Sequence, residues 1–468
     1  MFYEFLFVVS TFIIALSRNL PLLVIWIFMW IYSAYFSTKT NGHAFLIFIL
    51  GFMLFYPITL DINKNISDSA SIIFLIISAF IVKNNVKVFQ SLKEFPKTKI
   101  LIYGWIVWGL VEYIPLILVN YFGMSYTDSS EHFLNLKRES TMFLTVGPTI
   151  SSVFIIVICL FAIRTTRDLE FFFKALFKGT LILLILSLVR YFFDFDYYQQ
   201  SYGSVRSMGF RLTGFGVVDA NGYGRLLLMP IIFLTIYAIK FPKLLSTTNW
   251  ITLVLGIISI IMTFSRGTYI AFTIALIMIT LPNIFNMKSY LFIILAAIII
   301  AYVFQFTSLM DYFYPGSDRM SLDNFYSRVI LWQGAFNILY LSPWFGLHPG
   351  GWATLLHNAP QFAGEAVQST HNVFLGVAVD WGLPMAIILF IVFISTMYNA
   401  WITMDIIKKS YNSIVPIKLA ANGLLIIPVA LMIFGSADNI PVYYIFLIYG
   451  LSLALLRLTR SLTENPTN

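Results

Sequence analysis

Residues 310–382 read MDYFYPGSDRMSLDNFYSRVILWQGAFNILYLSPWFGLHPGGWATLLHNAPQFAGEAVQSTHNVFLGVAVDWG, the only long stretch of this chain that is not continuously apolar. It holds three of the five histidines and a cluster of Gly and Pro residues. A new apolar run begins at its His371-Asn372 pair. The surrounding sequence therefore reads as an apolar scaffold that holds this stretch at one of its ends.

The composition of the whole chain is that of a membrane protein. It has 468 residues, is 59% hydrophobic and only 11% charged, and has a mean hydropathy of +0.85. Apolar runs of about 20 residues recur from end to end, which is the length that a helix needs to cross a bilayer. The sequence predicts an all-α polytopic protein with about 12 transmembrane helices (the range is 12–14), folded as one membrane domain over residues 1–468.

The distribution of positive charge predicts the orientation. If the N-terminus is cytoplasmic, all lysines except Lys64 and Lys137 fall in cytoplasmic loops, as positive-inside sorting requires. The net charge of +8 is then a consequence of topology, and no nucleic-acid partner is predicted. Most arginines, in contrast, fall on the outer side, and positive-inside sorting does not explain why they are there. The long loop 308–371 is predicted to lie on that outer, periplasmic or extracellular side.

One amphipathic helix is predicted inside the long loop, over residues 324–341. Ser321 or Asp323 can cap its start, and Pro343 ends it. Its apolar positions recur at spacings of three and four and are Phe325, Val329, Trp332, Phe336 and Leu339. Such a helix is expected to lie along the outer membrane boundary, in contact with membrane lipids.

Two arginines stand out among the predicted outer residues. Arg266, in the sequence Thr263-Phe264-Ser265-Arg266-Gly267, lies at the very end of an apolar run, where a permanent charge is costly and often functional. Arg328, in Ser327-Arg328-Val329, lies on the amphipathic helix. An interfacial anchor for Arg266, and a solvated face or a lipid phosphate contact for Arg328, are the alternative interpretations.

Two further motifs lie at the predicted mouths of membrane helices. His371 precedes an apolar run and can titrate near neutral pH, so it could act as a base, or it could simply cap the helix. The Gly-rich stretch around Arg211 leads to Asn221 and could bring backbone N–H groups to an anion, or be an ordinary connection. The outer acidic residues are scattered, so no metal site is predicted, and no motif predicts a cofactor.

These motifs, in this order, resemble the O-antigen ligase and O-antigen polymerase superfamily of integral membrane glycosyltransferases. The matching segments are RLTGFGVVDAN, TFSRG, SRVILWQGAFNILYLSPWFGLHPGGW and HNVFLGVAVDWGLP, within a core region of residues 205–390. The resemblance implies an outer loop (308–371) over a lipid-exposed active-site cavity. It also implies a multi-pass protein of the bacterial inner membrane with its active site on the periplasmic face.

The resemblance further implies the chemistry. The donor would be a glycan on undecaprenyl diphosphate, and the acceptor a hydroxyl of a glycolipid or glycan. Catalytic roles are implied for Arg266, Arg328 and His371, with no metal and with inversion at the anomeric carbon. Arginine forks suit a diphosphate leaving group, and imidazole suits deprotonation of the acceptor. The predicted substrate-binding residues are Arg211, Asn221, Asn372 and Trp332.

Two alternative functions stay open at this point. Ligases transfer a finished glycan to lipid A-core, whereas polymerases join lipid-linked repeat units, and both use the same donor. Ten residues lie between Arg211 and Gly222 and again between His371 and Gly382, a spacing similar to the paired outer-loop motifs of polymerases. A transporter or flippase for the same lipid-linked glycans would also need outer arginines, although the internal repeats typical of transporters are not visible. The sequence does not indicate an oligomeric state.

Overall fold

The apolar runs of the sequence fold as helices. The computed structural model describes residues 94–111, 152–153, 155–157, 159–193, 212, 220–281, 331–337, 339–340, 342–346, 372–409, 414–435 and 442–464. Over these residues the chain is helical, with turns and short connections and no strand. This confirms the predicted all-α class. The count of about 12 membrane helices, and the division into a single domain with an outer loop, stay predictions.

The described elements are helices, and short described connections join α2 to α3, α4 to α5 and α5 to α6. In chain order they are α1 (Pro96–Val111), α2 (152–153, 155–157 and 159–162), α3 (Thr166–Phe193), α4 (Ala220–Lys240), a short 3-10 turn (Pro242–Leu244), α5 (Thr247–Met262), α6 (Arg266–Thr280), α7 (331–337 and 339–340), α8 (Val373–Lys409), α9 (Val415–Gly435) and α10 (Val442–Glu464). Five of them, α3, α4, α8, α9 and α10, are long and apolar enough to cross a membrane. The protein is therefore a multi-pass membrane protein.

Helix α4 lies at the centre of the described bundle. Its apolar window is 89% buried, whereas the corresponding windows of α3 and α8 are 44% buried and leave one face to the surroundings. It packs against α5, α6 and α9, while α8 packs against α9 and α10. Helix α9 packs against α4, α6 and α8, and it therefore connects the part of the bundle that carries the Arg266 turn to the part that carries the end of the long loop.

Many polar side chains inside this bundle form hydrogen bonds within their own helix or to a neighbouring one. Buried hydroxyls donate to the carbonyl one turn earlier, which is how Ser and Thr are accommodated where no water is available. Between helices, Asn399 Nδ2 donates to Ser452 Oγ at 3.1 Å, and the Thr98 and Tyr449 hydroxyls lie 2.8 Å apart. The residues that donate to their own helix include Thr180, Ser187, Thr235, Thr280, Thr396, Thr403 and Thr459.

The helix contacts define two ends of the molecule. At one end, Lys240 Nζ donates to Asn422 Oδ1, and Arg457 donates to the Ile163 carbonyl at 3.1 Å. We call this the lysine end, because every described lysine lies in the half of its helix, or on a turn, nearer to it. These lysines are Lys97, Lys99, Lys174, Lys178, Lys240, Lys243, Lys408, Lys409 and Lys418.

The opposite end is the Arg266 end, where α4 and α6 begin and α5 finishes. Helix α9 runs antiparallel to α4 because its start contacts the end of α4, so α8 and α10 also begin at the Arg266 end. The motifs on α6 and α8 therefore share one end of the bundle, away from the lysines. This segregation is what the predicted topology requires.

Helix α8 is broken at Gly382, nine residues after its start. Gly382 has φ +83° and ψ 165°, and the following amide of Leu383 donates to the Pro343 carbonyl at 2.9 Å instead of continuing the helix. Pro384 then lacks the N–H that would bond to the Asp380 carbonyl. A turn from the long loop, residues 342–346, fills the gap that these changes open.

Glycines on both sides make this contact possible. A Cβ on Gly382 would lie 1.9 Å from the Trp344 carbonyl oxygen, and a Cβ on Gly346 (φ +60°) would lie 2.3 Å from the Val379 carbonyl oxygen. Only glycine combines a positive φ with such a close approach of two backbones. The 342–346 turn and the break in α8 thus interlock through their main chains.

Helix α7 packs its buried face onto the first half of α8. Leu331, Ala335 and Leu339 recur every four residues and are buried with Ala378 and Val379. Phe336, another position of the predicted apolar stripe, is exposed and lies outside this contact. Hydrophobic periodicity identifies apolar positions on a helix, but it does not say whether protein or lipid covers them.

We expect Gly382→Ala to destabilise the protein strongly. The added Cβ would meet the Trp344 carbonyl in a backbone conformation that alanine rarely adopts, a strain of roughly 1–3 kcal/mol before any clash. The measurement is thermal unfolding of the purified protein in detergent, followed by tryptophan fluorescence.

Gly104→Ala is the matched control for this substitution. Gly104 lies within α1, and its added Cβ would meet Ile388 Cδ1 at 3.4 Å, an ordinary contact. It should melt at or slightly above the parent temperature, since alanine favours helix. If both variants melted alike, the interlock would not contribute to stability.

Candidate active site

The turn between α5 and α6 is built by three hydroxyl side chains. Thr263 Oγ1 donates to the Ile260 carbonyl at 2.7 Å and accepts from the Ser265 amide at 3.3 Å. Ser265 Oγ caps α6, accepting from the Thr268 amide at 3.4 Å and from Thr268 Oγ1 at 2.9 Å. Phe264, between them, has φ +48°, an uncommon conformation for a bulky residue. Side-chain hydrogen bonds of these hydroxyls therefore hold the turn in one conformation.

This geometry makes Arg266 the first residue of α6. The first amides of a helix have no acceptor within the helix, and together with the helix dipole they favour an anion. Ser265 satisfies the amide of Thr268, in the first turn of α6. The backbone of the predicted catalytic Arg266 is therefore part of an electropositive helix terminus; its side chain lies outside what the structure describes.

The start of α4 packs directly on this turn. A Cβ on Gly224 would lie 2.3 Å from Thr268 Oγ1, so the two helix starts are in close contact. The amide of Leu212 donates to the Met262 carbonyl at 2.7 Å, at the end of α5. Asn221, a predicted substrate-binding residue, is half-buried in the first turn of α4. The predicted Arg211, which precedes Leu212 in sequence, lies outside the described residues.

Asn372 caps the start of α8. Its Oδ1 accepts from the amides of Phe374 at 3.1 Å and Leu375 at 3.0 Å, and its carbonyl accepts from Gly376 at 2.7 Å. The oxygen of this side chain is therefore engaged within the helix terminus. Its predicted contact with substrate stays a prediction.

Trp332 is partly buried on α7 against the Ala378 and Val379 cluster. Arg328 and His371 lie outside the described residues. The structure therefore brings Asn221 and the backbone of Arg266 to neighbouring helix starts, and places Asn372 and Trp332 on the same end through α8 and α7. The convergence of Arg266, Arg328 and His371 on one cavity stays a prediction.

Two charged residues near this end were not selected from the motifs. Asp380 lies two residues before the break in α8, and no hydrogen bond joins its carboxylate to another described residue. Arg225 lies in the second turn of α4, within electrostatic reach of the Tyr444 hydroxyl on α10. Asp380 could have been noticed as the lone acid of an apolar run. Arg225 could have been noticed as the charge that follows the Asn221-Gly222-Tyr223-Gly224 sequence.

An aromatic group surrounds the break beside Asp380. Trp108 Nε1 donates to the Trp381 carbonyl at 3.1 Å, and its ring stacks on Phe345 with 5.8 Å between centroids. Trp105 stacks on Trp381 at 6.0 Å. Through these contacts, α1 packs against the break in α8, which the 342–346 turn also contacts. Among the described residues, no three His, Cys, Asp or Glu side chains form a group that could hold a metal ion.

The segment that carries most of these features matches a known protein family. Residues 251–391 match the family model of the O-antigen ligases. No protein of curated function and no solved structure matches the chain. The O-antigen ligase match contains Arg266, Arg328 and His371 and begins after Arg211 and Asn221. It confirms the predicted resemblance to the O-antigen ligase superfamily, and with the membrane helices it indicates a membrane protein of the glycosyltransferase type.

We expect Gly224→Ala to displace the Arg266 turn. The new Cβ would overlap Thr268 Oγ1 and Cγ2, the side chain that binds the Ser265 cap. The double variant Gly224→Ala/Thr268→Ala removes those two atoms and should recover part of the lost melting temperature.

The measurement is a double-mutant cycle of melting temperatures, with Thr268→Ala alone as the third variant. Residues in contact typically show an interaction energy of about 0.5–3 kcal/mol. Strictly additive effects of the two substitutions would contradict the proposed contact.

Proposed function

We propose that the protein transfers a glycan from undecaprenyl diphosphate to the hydroxyl of an acceptor glycolipid, as an O-antigen ligase. One observation carries the proposal. The O-antigen ligase match includes a capped turn that makes Arg266 the first residue of a helix, at the end of the bundle opposite the lysines. A diphosphate is an anion that fits such a terminus.

The electrostatics of this turn support an anionic ligand. A cation near a helix N-terminus is unfavourable by about 0.3–1 kcal/mol, because the dipole is positive there. A bound diphosphate would make the electrostatic free energy of this arrangement favourable. The guanidinium and the first amides of α6 would then both face negative charge. Ser265 and Thr268 fix the turn before any ligand arrives, which reduces the reorganisation needed during the reaction.

The proposed reaction is a single displacement. The acceptor oxygen forms a bond to the anomeric carbon of the donor glycan while the bond from that carbon to the phosphate oxygen breaks. The acceptor proton passes to the imidazole of His371, and undecaprenyl diphosphate leaves with the bonding electrons. Arg266 and Arg328, assisted by Arg211, stabilise the charge on the leaving group without a metal. Attack from the face opposite the phosphate inverts the configuration.

The sidedness of the described helices supports a periplasmic site. Lysines are retained on the cytoplasmic side of bacterial membrane proteins. The lysine end would then face the cytoplasm, and the Arg266 end would face the periplasm of an inner-membrane protein. A lipid-linked donor would enter from the outer leaflet, with its polyprenyl chain in the bilayer.

The polymerase is the second candidate, and the paired ten-residue spacings favour it, while the O-antigen ligase match favours the ligase. Deletion of the gene followed by electrophoresis of surface glycans separates the two. A lost ligase strands a full ladder on undecaprenyl diphosphate. A lost polymerase leaves single repeats on the lipid core. A transporter would translocate the lipid-linked glycan in proteoliposomes without transferring it.

His371→Ala is expected to reduce glycan transfer by about 10²–10⁴-fold, the usual cost of removing a general base. The measurement is transfer in proteoliposomes that contain lipid-linked donor and acceptor. The control for a purely structural effect is the melting temperature of His371→Ala, which should equal that of the parent. The base assignment would be wrong if His371→Ala transferred glycan at the parent rate.

Arg266→Lys and Arg328→Lys are expected to reduce transfer although they keep the charge. Lysine cannot present the planar, bidentate fork that matches phosphate oxygens. Arg460→Lys, an exposed position at the lysine end, should retain parent activity and is the matched control. Full activity of both test variants would indicate that charge alone, or neither arginine, serves the reaction.

A further inference from the structure

The length of α8 and the positions of its charged residues indicate where the bilayer boundaries lie along this helix. After the break, α8 continues over residues 383–409, which is 27 residues or about 40 Å at 1.5 Å per residue, whereas the hydrocarbon core is about 30 Å thick and needs about 20 residues. Residues 385–404 are uncharged, and Asp405 is the first charge towards the lysine end. The hydrocarbon boundary at the Arg266 end therefore falls close to the break at Gly382.

The surface of α8 agrees with this placement. Ile387, Phe390 and Ile394 are exposed and apolar along the presumed hydrocarbon span, as lipid-facing residues are. Near the lysine end, Tyr398 and Trp401 are exposed and stacked with 6.1 Å between their ring centroids. Tyr and Trp concentrate at membrane interfaces, because their rings are apolar and their polar atoms reach water. This pair marks the inner boundary.

A second exposed aromatic group lies at the level of the break. Phe336, Tyr340 and Trp344 recur every four residues and are 61%, 87% and 63% exposed. They lie on the side of α7 and its following turn away from the buried face of Leu331, Ala335 and Leu339. Residues 331–346 carry no charge. We call these three side chains the aromatic ridge.

We propose that the aromatic ridge inserts into the interfacial layer of the membrane leaflet at the Arg266 end, so that lipid covers it. The level of the ridge is set by the 342–346 turn, which bonds to Leu383 at the hydrocarbon boundary. Its composition matches the Tyr398–Trp401 pair at the other boundary. Lipid is the occupant because the ridge is uncharged, aromatic and held at the level of the hydrocarbon boundary.

Insertion would fix the height of α7 relative to the bilayer. Helix α7 would then be held from two sides, by α8 through its buried face and by lipid through the ridge. The proposal is independent of the reaction, since it concerns where this segment lies and not what it binds.

The test uses nitroxide labels in proteoliposomes of phosphatidylethanolamine and phosphatidylglycerol. Cys159 is the only cysteine and is buried, so Cys159→Ala supplies the background. Single-cysteine variants Phe336→Cys, Tyr340→Cys and Trp344→Cys carry the label. Collision rates are measured with oxygen, which partitions into lipid, and with a neutral nickel chelate, which stays in water. Because these side chains are exposed, their replacement leaves the core unchanged.

Two equally exposed positions calibrate the measurement. Ile387→Cys lies on the apolar face of α8, and Leu244→Cys lies on a turn at the lysine end; both native side chains are 57% exposed. The expected result is that the ridge labels collide more often with oxygen than with nickel, with a ratio between those of the two references.

Two outcomes would overturn the proposal. Nickel collision rates equal to those of the Leu244 label would place the ridge in water. Low rates with both reagents would mean that protein, from this chain or a second copy, covers the ridge. Only labelled variants that keep the melting temperature of the Cys159→Ala parent are counted, and two ridge positions are enough to decide.

Discussion

The close contact between Gly346 and the break at Gly382 is the constraint on which the Arg266 end of the structure depends. It joins two backbones that are 36 residues apart in sequence, with no side chain between them. Through it, the end of α7 is fixed to α8, and α1 is fixed to the same place by Trp108 and Phe345. In sequence, Arg328 precedes α7 by three residues and His371 precedes α8 by two. The contact therefore sets the relative position of the two elements that would carry these residues.

Much of the scaffold follows from the sequence, because a bilayer leaves few alternatives. A segment surrounded by lipid must satisfy its own backbone groups, so an apolar run of sufficient length folds as a helix. The apolar sequence on either side of Arg266 folds as α5 and α6, with the turn at Ser265 between them. The start of α6 could be predicted because its signals are local: a serine that can cap and an end to the preceding apolar run.

The break in α8 and the orientation of α7 could not be predicted in the same way. Gly382 and Pro384 signal a weak point in a helix, but the partner that fills the gap, Pro343 to Gly346, lies far away along the chain. Phe336 shows a second limit. It is as apolar as Leu339, yet Leu339 packs on α8 and Phe336 does not. Periodicity describes one helix, whereas these features depend on which neighbour each face meets.

The two ends of the bundle also use arginine differently, and the comparison bears on function. Arg457 donates to the Ile163 carbonyl at the end of α2, where the dipole is negative and a cation is favourable. Folding alone accounts for its position. Arg266 begins α6, where the dipole is positive and the same charge is unfavourable. Helix stability gives no reason for an arginine there, and neither does the sorting of lysines to the other end. The proposed diphosphate would supply a reason, because the guanidinium and the first amides of α6 would then both donate to the same negative charge.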